Sequence, residues 1–194
     1  TKVSKNSLFS DLNNLETDTV TCEAYSDCFG FTEQEVMDAL KCQNMDTMHD
    51  VKEMYDGFIF GKQKDMYNPW SICNYMRSGE LQSYWINTSG NDLVKRFVNR
   101  ADKTTRDEME RLIAGESVEK EIRLELTYDE IDQSIDNLWS ALFTTGYLTR
   151  IGKPVNGIYR LAIPNREVRE VYITQIQEWF KEKIRKETGS MQTF

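Results

Sequence analysis

The sequence is poor in the residues on which metal and nucleophilic chemistry most often depend. Its 194 residues contain one histidine, His49, and four cysteines at irregular intervals with no C-x-x-C pair. A structural zinc site is usually built from closely paired ligands, so we interpret the cysteines as reduced side chains that pack as small hydrophobic groups. His49 lies in a polar run with no nucleophile motif beside it, and we interpret it as a solvated or capping residue.

Long hydrophobic runs are also missing. No stretch approaches the roughly 20 continuous apolar residues that a membrane-spanning helix requires, and the opening segment TKVSKNSLFS lacks the apolar region of a signal peptide. We therefore expect a cytoplasmic protein with no membrane partner. The first residue is Thr1 rather than Met, which leads us to expect a fragment, whether by a chosen boundary or by processing.

Two catalytic motifs are absent. The pattern G-x-x-x-x-G-K-[ST], which holds nucleotide phosphates and magnesium, occurs nowhere in the chain. The Asp and Glu-x-Lys on adjacent strands that a nuclease of the PD-(D/E)XK type needs are not visible either. We therefore expect no metal and no cofactor bound by this chain alone.

The acidic charge is concentrated in the middle of the chain. The formal net charge is -8, and residues 102 to 136 hold twelve acidic and five basic side chains. Residues 160 to 187 hold seven basic and five acidic ones, among them Arg160, Arg166 and Arg169. An acidic body disfavours broad nucleic-acid binding, so duplex contact remains only a weak hypothesis for the carboxy-terminal third.

Helix start signals recur along the chain. Thr32, Thr105 and Thr127 each stand three residues before a Glu, which is the capping-box pattern, and Asn68-Pro69 combines a capping residue with a proline suited to the first turn. Together with a strand expected within residues 118 to 126, these signals predict an α+β chain that is mainly helical.

The carboxy-terminal half predicts a helix followed by a β-hairpin. Apolar residues recur at helical spacing from about Tyr128 to Thr145, and Asn156-Gly157 lies between two apolar runs within residues 147 to 163. A helix followed at once by a hairpin resembles the end of a winged-helix domain. Pro164-Asn165 then opens a last amphipathic helix.

Several phrases carry a family resemblance in content and order. They are TKVSKNSLFSDLNNL, YSDCFGFTEQEV, MYDGFIFG, YNPWSI, YWINTSGN, TTGYLT and YRLAIPNREV. The chain resembles the carboxy-terminal part of the AAA-ATPase-like proteins of prokaryotes, which are often fused to a PD-(D/E)XK nuclease-like domain. The residues that we take as its signature are Tyr55, Asp56, Gly57, Gly61, Tyr67, Asn68, Pro69, Trp70, Gly146, Tyr147, Pro164 and Asn165.

The resemblance implies two domains and an auxiliary role. Residues 1–100 would form the sensor and lid region of the ATPase domain, and residues 101–194 a winged-helix-like helical domain. ATP and magnesium would be bound by a Walker-containing segment upstream, and a nuclease-like domain could follow. Lys2, Lys5 and Ser7 would face the γ-phosphate or sense its loss, or else cap the helix that starts near Leu8.

The signature around residues 55 to 71 is open to two interpretations. Packing is the first, because Tyr55, Phe58, Tyr67 and Trp70 can bury large apolar areas. The second is a lid against the nucleotide or a neighbouring domain, with Asp56 as its polar contact. The alternative to the ATPase interpretation is a stand-alone winged-helix module that binds protein or nucleic acid.

Overall fold

The computed structural model describes residues 19–87 and 92–190. This part of the chain is α+β, about half helical, with two small antiparallel sheets. In chain order its elements are β1 (Phe31–Thr32), α1 (Glu33–Cys42), α2 (Met48–Tyr55), β2 (Phe58–Phe60), β3 (Gln63–Tyr67), α3 (Pro69–Ser78), a 3-10 turn (Trp85–Asn87), α4 (Asp92–Arg100), α5 (Lys103–Ile113), β4 (Val118–Glu121), α6 (Tyr128–Ile131), α7 (Ile135–Thr144), β5 (Thr149–Arg150), β6 (Ile158–Ala162) and α8 (Arg166–Ser190).

The amino-terminal elements follow the capping signals. The Thr32 hydroxyl and the Glu35 carboxylate form the predicted capping box at the start of α1. Asn68 caps α3 by accepting a hydrogen bond from the Trp70 N–H at 3.0 Å, and Gly79 ends that helix in the left-handed region. These predictions are confirmed. The first sheet has the strand order β1-β3-β2.

The second sheet contains the predicted hairpin. Its strand order is β4-β6-β5, so the earliest strand pairs with the last one. Asn156 and Gly157 both have positive φ angles, 51° and 80°, which is the backbone of a type I′ hairpin turn. The prediction of a hairpin within residues 147 to 163 is confirmed, and it packs on the preceding helix, with the rings of Phe143 and Tyr159 5.3 Å apart.

Two helix boundaries differ from the sequence prediction. The helix expected from Tyr128 to Thr145 is divided into α6 and α7, because Ser134 starts a new helix by accepting the Asn137 N–H at 3.0 Å. Helix α5 begins at Lys103 rather than after Thr105, because Asp102 is the acceptor for the Thr105 N–H at 2.8 Å. In both places the helix is capped by a side chain that the sequence prediction did not use.

The buried apolar residues form two clusters. The larger one contains the buried faces of α4, α5, α7 and α8 with residues of β4 and β6, and it also includes Phe58 and Met66 from the first sheet. The smaller one lies among α1, α2, β3 and α3. Strand β3 therefore contributes to both clusters, with Met66 in the larger one and Tyr67 in the smaller one.

The cysteines are free, but their predicted packing is wrong for three of them. Cys28, Cys42 and Cys73 are exposed, and Cys22 is half-buried. Cys42 ends α1, while Cys73 lies on the outer face of α3, whose buried face is formed by Ile72 and Tyr75.

Within the described residues, none of the helices combines the length and the apolar composition needed to cross a membrane.

Candidate functional site

Four signature residues that are far apart in the sequence, Asp56, Gly57, Pro164 and Asn165, meet where the α2–β2 turn contacts the start of α8. The Asn165 side-chain amide donates a hydrogen bond to the main-chain carbonyl of Asp56 at 2.7 Å, and its oxygen accepts the Val168 N–H at 2.9 Å. Asn165 therefore caps α8, as predicted, and also ties that helix to the turn after α2.

Gly57 allows the close approach at this junction. It has φ +104°, and a Cβ atom placed on it would lie 2.1 Å from the carbonyl oxygen of Pro164. Only glycine combines that backbone conformation with that contact. Gly57 and Pro164 thus form one packed unit, although about a hundred residues separate them.

The signature residues Gly146 and Tyr147 contact aromatic residues of other resemblance motifs. The rings of Trp85 and Tyr147 are stacked with centroids 5.2 Å apart, and Phe58 lies 6.0 Å from Trp85. Gly146 has φ +91°, and an added Cβ would lie 3.2 Å from the Trp85 ring. This places the end of α7 directly against the 3-10 turn and β2.

Glu167 is the residue at this junction that sequence reasoning missed. It is fully buried, and its carboxylate accepts hydrogen bonds from the Ser71 hydroxyl at 2.7 Å and the Trp85 N–H at 2.9 Å. Burial raises the pKa of Glu167, while these donors and the Tyr84 N–H act in the opposite direction. Glu167 therefore joins α3, the segment before the 3-10 turn and α8.

A signal for Glu167 was present in the sequence. It lies one residue before Val168 and four before Val171, on the apolar stripe of an amphipathic helix. A charged residue on such a stripe requires buried partners.

Asp56 belongs to a second polar group, beside Lys52. The Lys52 ammonium pairs with Glu33 and lies 3.5 Å from the Asp65 carboxylate and 3.8 Å from that of Asp56. Asp56 Oδ1 and the buried Tyr67 hydroxyl have no hydrogen-bond partner in the described part of the chain. Burial, together with the neighbouring Asp65, raises the pKa of Asp56 to about 6, against the effects of the Gly57 N–H and Lys52.

The raised pKa of Asp56 predicts a pH-dependent stability. Since its native pKa lies above the unfolded value of 3.8, the native state holds more protons between these pH values, and stability falls as pH rises through that range. Asp56→Asn removes the buried charge, so we expect its melting temperature to exceed that of the wild type by about 2–4 °C at pH 7.5, with the difference vanishing near pH 4.

Thermal scans from pH 4 to 8 measure this difference, with the exposed Asp107→Asn as the matched control. A variant that is less stable than the wild type at pH 7.5 would show that the Asp56 charge is stabilising.

The other signature residues have the following places. Tyr55 and Tyr67 are buried as expected, but Trp70 is 54% exposed, so its predicted packing role is wrong. Its indole N–H donates to the Tyr84 carbonyl at 3.4 Å, and the side chain lies in the first turn of α3 on the solvent side. Gly61 has φ +54° and packs against the main chain of Cys22. Lys2, Lys5 and Ser7 lie outside the described residues.

A cavity of about 400 Å³ opens next to the junction. Its wall includes Phe58, Phe60, Trp85 and Gly146, and Tyr67, Asn68 and Pro69 reach it from the start of α3. Among the described residues, no group of three or more His, Cys, Asp or Glu is arranged to hold a metal ion. The cavity therefore lies beside the contacts that join the α2–β2 turn to α8.

Comparisons with known proteins give one distant relative. No family model matches the sequence, and no solved structure matches it. The chain is 31% identical over 176 residues to a protein of Azotobacter chroococcum mcd 1 described as "Uncharacterized protein in vnfD 5'region". The match covers 87% of this chain and 31% of that protein, so the chain spans about a third of the length of its relative.

Proposed function

We propose that this chain is the sensor, lid and winged-helix portion of an AAA-type ATPase, and that it assists nucleotide hydrolysis without being catalytic itself. The observation that carries the proposal is the junction described above, which brings several of the resemblance motifs into contact. Asp56-Gly57, Trp85, Gly146-Tyr147 and Pro164-Asn165 touch one another or share neighbours. A lid that moves as one body needs such internal connections.

The order of the carboxy-terminal elements supports the winged-helix part of the proposal. A winged helix has a helix, a strand, two further helices and a final hairpin, with the first strand pairing with the last. Here α5, β4, α6, α7, β5 and β6 occur in that order, and the sheet order is β4-β6-β5. The proposed domain would thus begin near Lys103.

Helix α7 favours a protein-facing role over duplex binding. In helix-turn-helix proteins the helix before the wing lies in the major groove, so its outer face is exposed. In α7 every residue from Asn137 to Phe143 is buried, and α4 lies against it. With a net charge of -8, this geometry gives little support to the alternative of a nucleic-acid module.

The cavity beside the junction does not fit the phosphates of a nucleoside triphosphate. The cavity is lined by aromatic, aliphatic and small polar side chains and by no charged residue from the described part of the chain, so nothing there would compensate the phosphates. In the proposal ATP and magnesium belong to the upstream Walker-containing segment. From this chain only Lys2, Lys5 and Ser7 would approach the γ-phosphate.

A thermal scan with and without millimolar Mg-ATP tests the proposal. A ligand that binds the folded state raises the melting temperature, and without a phosphate-binding loop the 194-residue chain should show no shift. A longer protein that includes the proposed upstream segment should shift upward by several degrees. An upward shift of the 194-residue chain, or a parent reading frame with no Walker motif upstream, would contradict the proposal.

A further inference from the structure

The cavity beside the junction has the shape and lining of a small-molecule site. Its volume of about 400 Å³ lies in the range of ligand pockets, and it is bounded by β2 on one side and by the end of α7 and β5 on the other. Thr19 and Val20 form part of its rim. It does not coincide with the Asn165 and Glu167 contacts.

Aromatic rings form one wall of the cavity. Phe58 and Phe60 are nearly parallel, with an angle of 10° and centroids 6.5 Å apart, and Trp85 lies 6.0 Å from Phe58. Gly146 contributes no side chain, and a Cβ there would meet the rings of Trp85 at 3.2 Å and Phe58 at 3.4 Å. Flat rings that border an open volume are suited to stacking with another flat ring.

The residues that line the cavity disfavour the binding of a charged ligand. None of the described residues around the cavity is Asp, Glu, Lys, Arg or His. The threonine hydroxyls at the end of α7 are already engaged, since Thr144 donates to the Ser140 carbonyl at 3.0 Å and Thr145 to the Ala141 carbonyl at 2.7 Å. An ionised ligand group would lose its hydration here without gaining a counter-charge.

The polar groups that remain favour a ligand with a hydrogen-bond donor. At the end of α7 the carbonyls of residues 141 to 143 accept main-chain N–H groups. The carbonyls of Thr144 and Thr145, two residues that line the cavity, accept no hydrogen bond from the described residues and carry the partial negative charge of a helix carboxyl end. Asn68 also lines the cavity, and its side-chain oxygen caps α3 by accepting the Trp70 N–H. A neutral N–H or O–H on an aromatic ring would complement the end of α7.

We propose that this cavity binds an uncharged planar aromatic small molecule of one or two rings that carries a hydrogen-bond donor. The ring stacks on the wall formed by Phe58, Phe60 and Trp85, and the donor meets the carboxyl end of α7. This inference does not depend on the ATPase proposal.

Indole is the probe for the test, added to the ¹⁵N-labelled 194-residue chain and followed by amide chemical shifts. We expect saturable shifts confined to β2, the 3-10 turn and residues 143 to 149. Phe60→Leu removes one ring from the wall and should weaken binding about fivefold. Phe180→Leu makes the same change at a site on α8 that is 58% exposed, and should leave binding unchanged.

Charged analogues of indole provide the second part of the test. Indole-3-acetate and tryptamine should bind at least about tenfold more weakly than indole, because their charges would be desolvated without a partner. Val20→Trp, which fills the rim, should abolish the shifts while the variant still melts cooperatively. Shifts that do not saturate, equal effects of the two Phe→Leu variants, or equal binding of the charged analogues would each overturn the proposal, and would leave the ATPase proposal untouched.

Discussion

Replacing Glu167 with alanine is expected to lower the free energy of unfolding by about 3–5 kcal/mol. The substitution leaves the Ser71 hydroxyl and the Trp85 N–H buried without their acceptor. It also creates a cavity at the point where α3, the 3-10 turn and α8 meet. Urea unfolding followed by far-ultraviolet circular dichroism measures the loss.

Two controls separate this contact from a general effect of removing a glutamate. Glu53→Ala, on the exposed face of α2, should change stability by no more than about 0.5 kcal/mol. Ser71→Ala should cost about 1–2 kcal/mol, and the two losses should not add in the Ser71/Glu167 double variant because both remove the same hydrogen bond. Additive losses would show that the carboxylate and the hydroxyl act independently.

Gly57→Ala is expected to cost about 3 kcal/mol or more, because two effects combine at one position. The backbone has φ +104°, which side chains disfavour, and the new Cβ would lie 2.1 Å from the Pro164 carbonyl oxygen. The obstacle is main chain, so relief requires moving the start of α8 and breaking the bond between Asn165 and Asp56. The same urea experiment measures this loss.

Gly79→Ala is the matched control, since Gly79 also has a positive φ, +72°, but no atom lies within 4 Å of an added Cβ. It should cost only about 1 kcal/mol, the price of the left-handed conformation alone. If the two glycine variants lose equal stability, the contact between the α2–β2 turn and α8 does not constrain the fold.

Local signals explain which elements were predictable. The capping box at Thr32, the Asn68-Pro69 start and the Asn156-Gly157 turn each depend on a few adjacent residues, and all are found in the structure. Where two caps competed, as with Ser134 inside the helix expected from Tyr128 to Thr145, the sequence did not rank them. Ser, Thr and Asp stabilise a helix start by similar amounts, so residue type alone does not determine which of them is the cap.

The assembly of the site was not predictable from local pattern. Gly57 and Gly146 belong to the resemblance motifs, but the residues that approach them closely, Pro164 and Trp85, come from distant parts of the chain. The prediction of α8 depends only on its apolar residues, so it does not identify Glu167 as a buried residue of that helix. Trp70 was assigned to the interior by residue type, and its place at the first turn of α3 exposes it.

ATP turnover, measured side by side for this 194-residue chain and for a protein extended to include the proposed upstream segment, tests the central claim most directly. The proposal predicts turnover by the longer protein and none by the chain alone, because this portion lacks a phosphate-binding loop. Turnover by the 194-residue chain itself, or its absence from a folded longer protein that binds Mg-ATP, would contradict the claim.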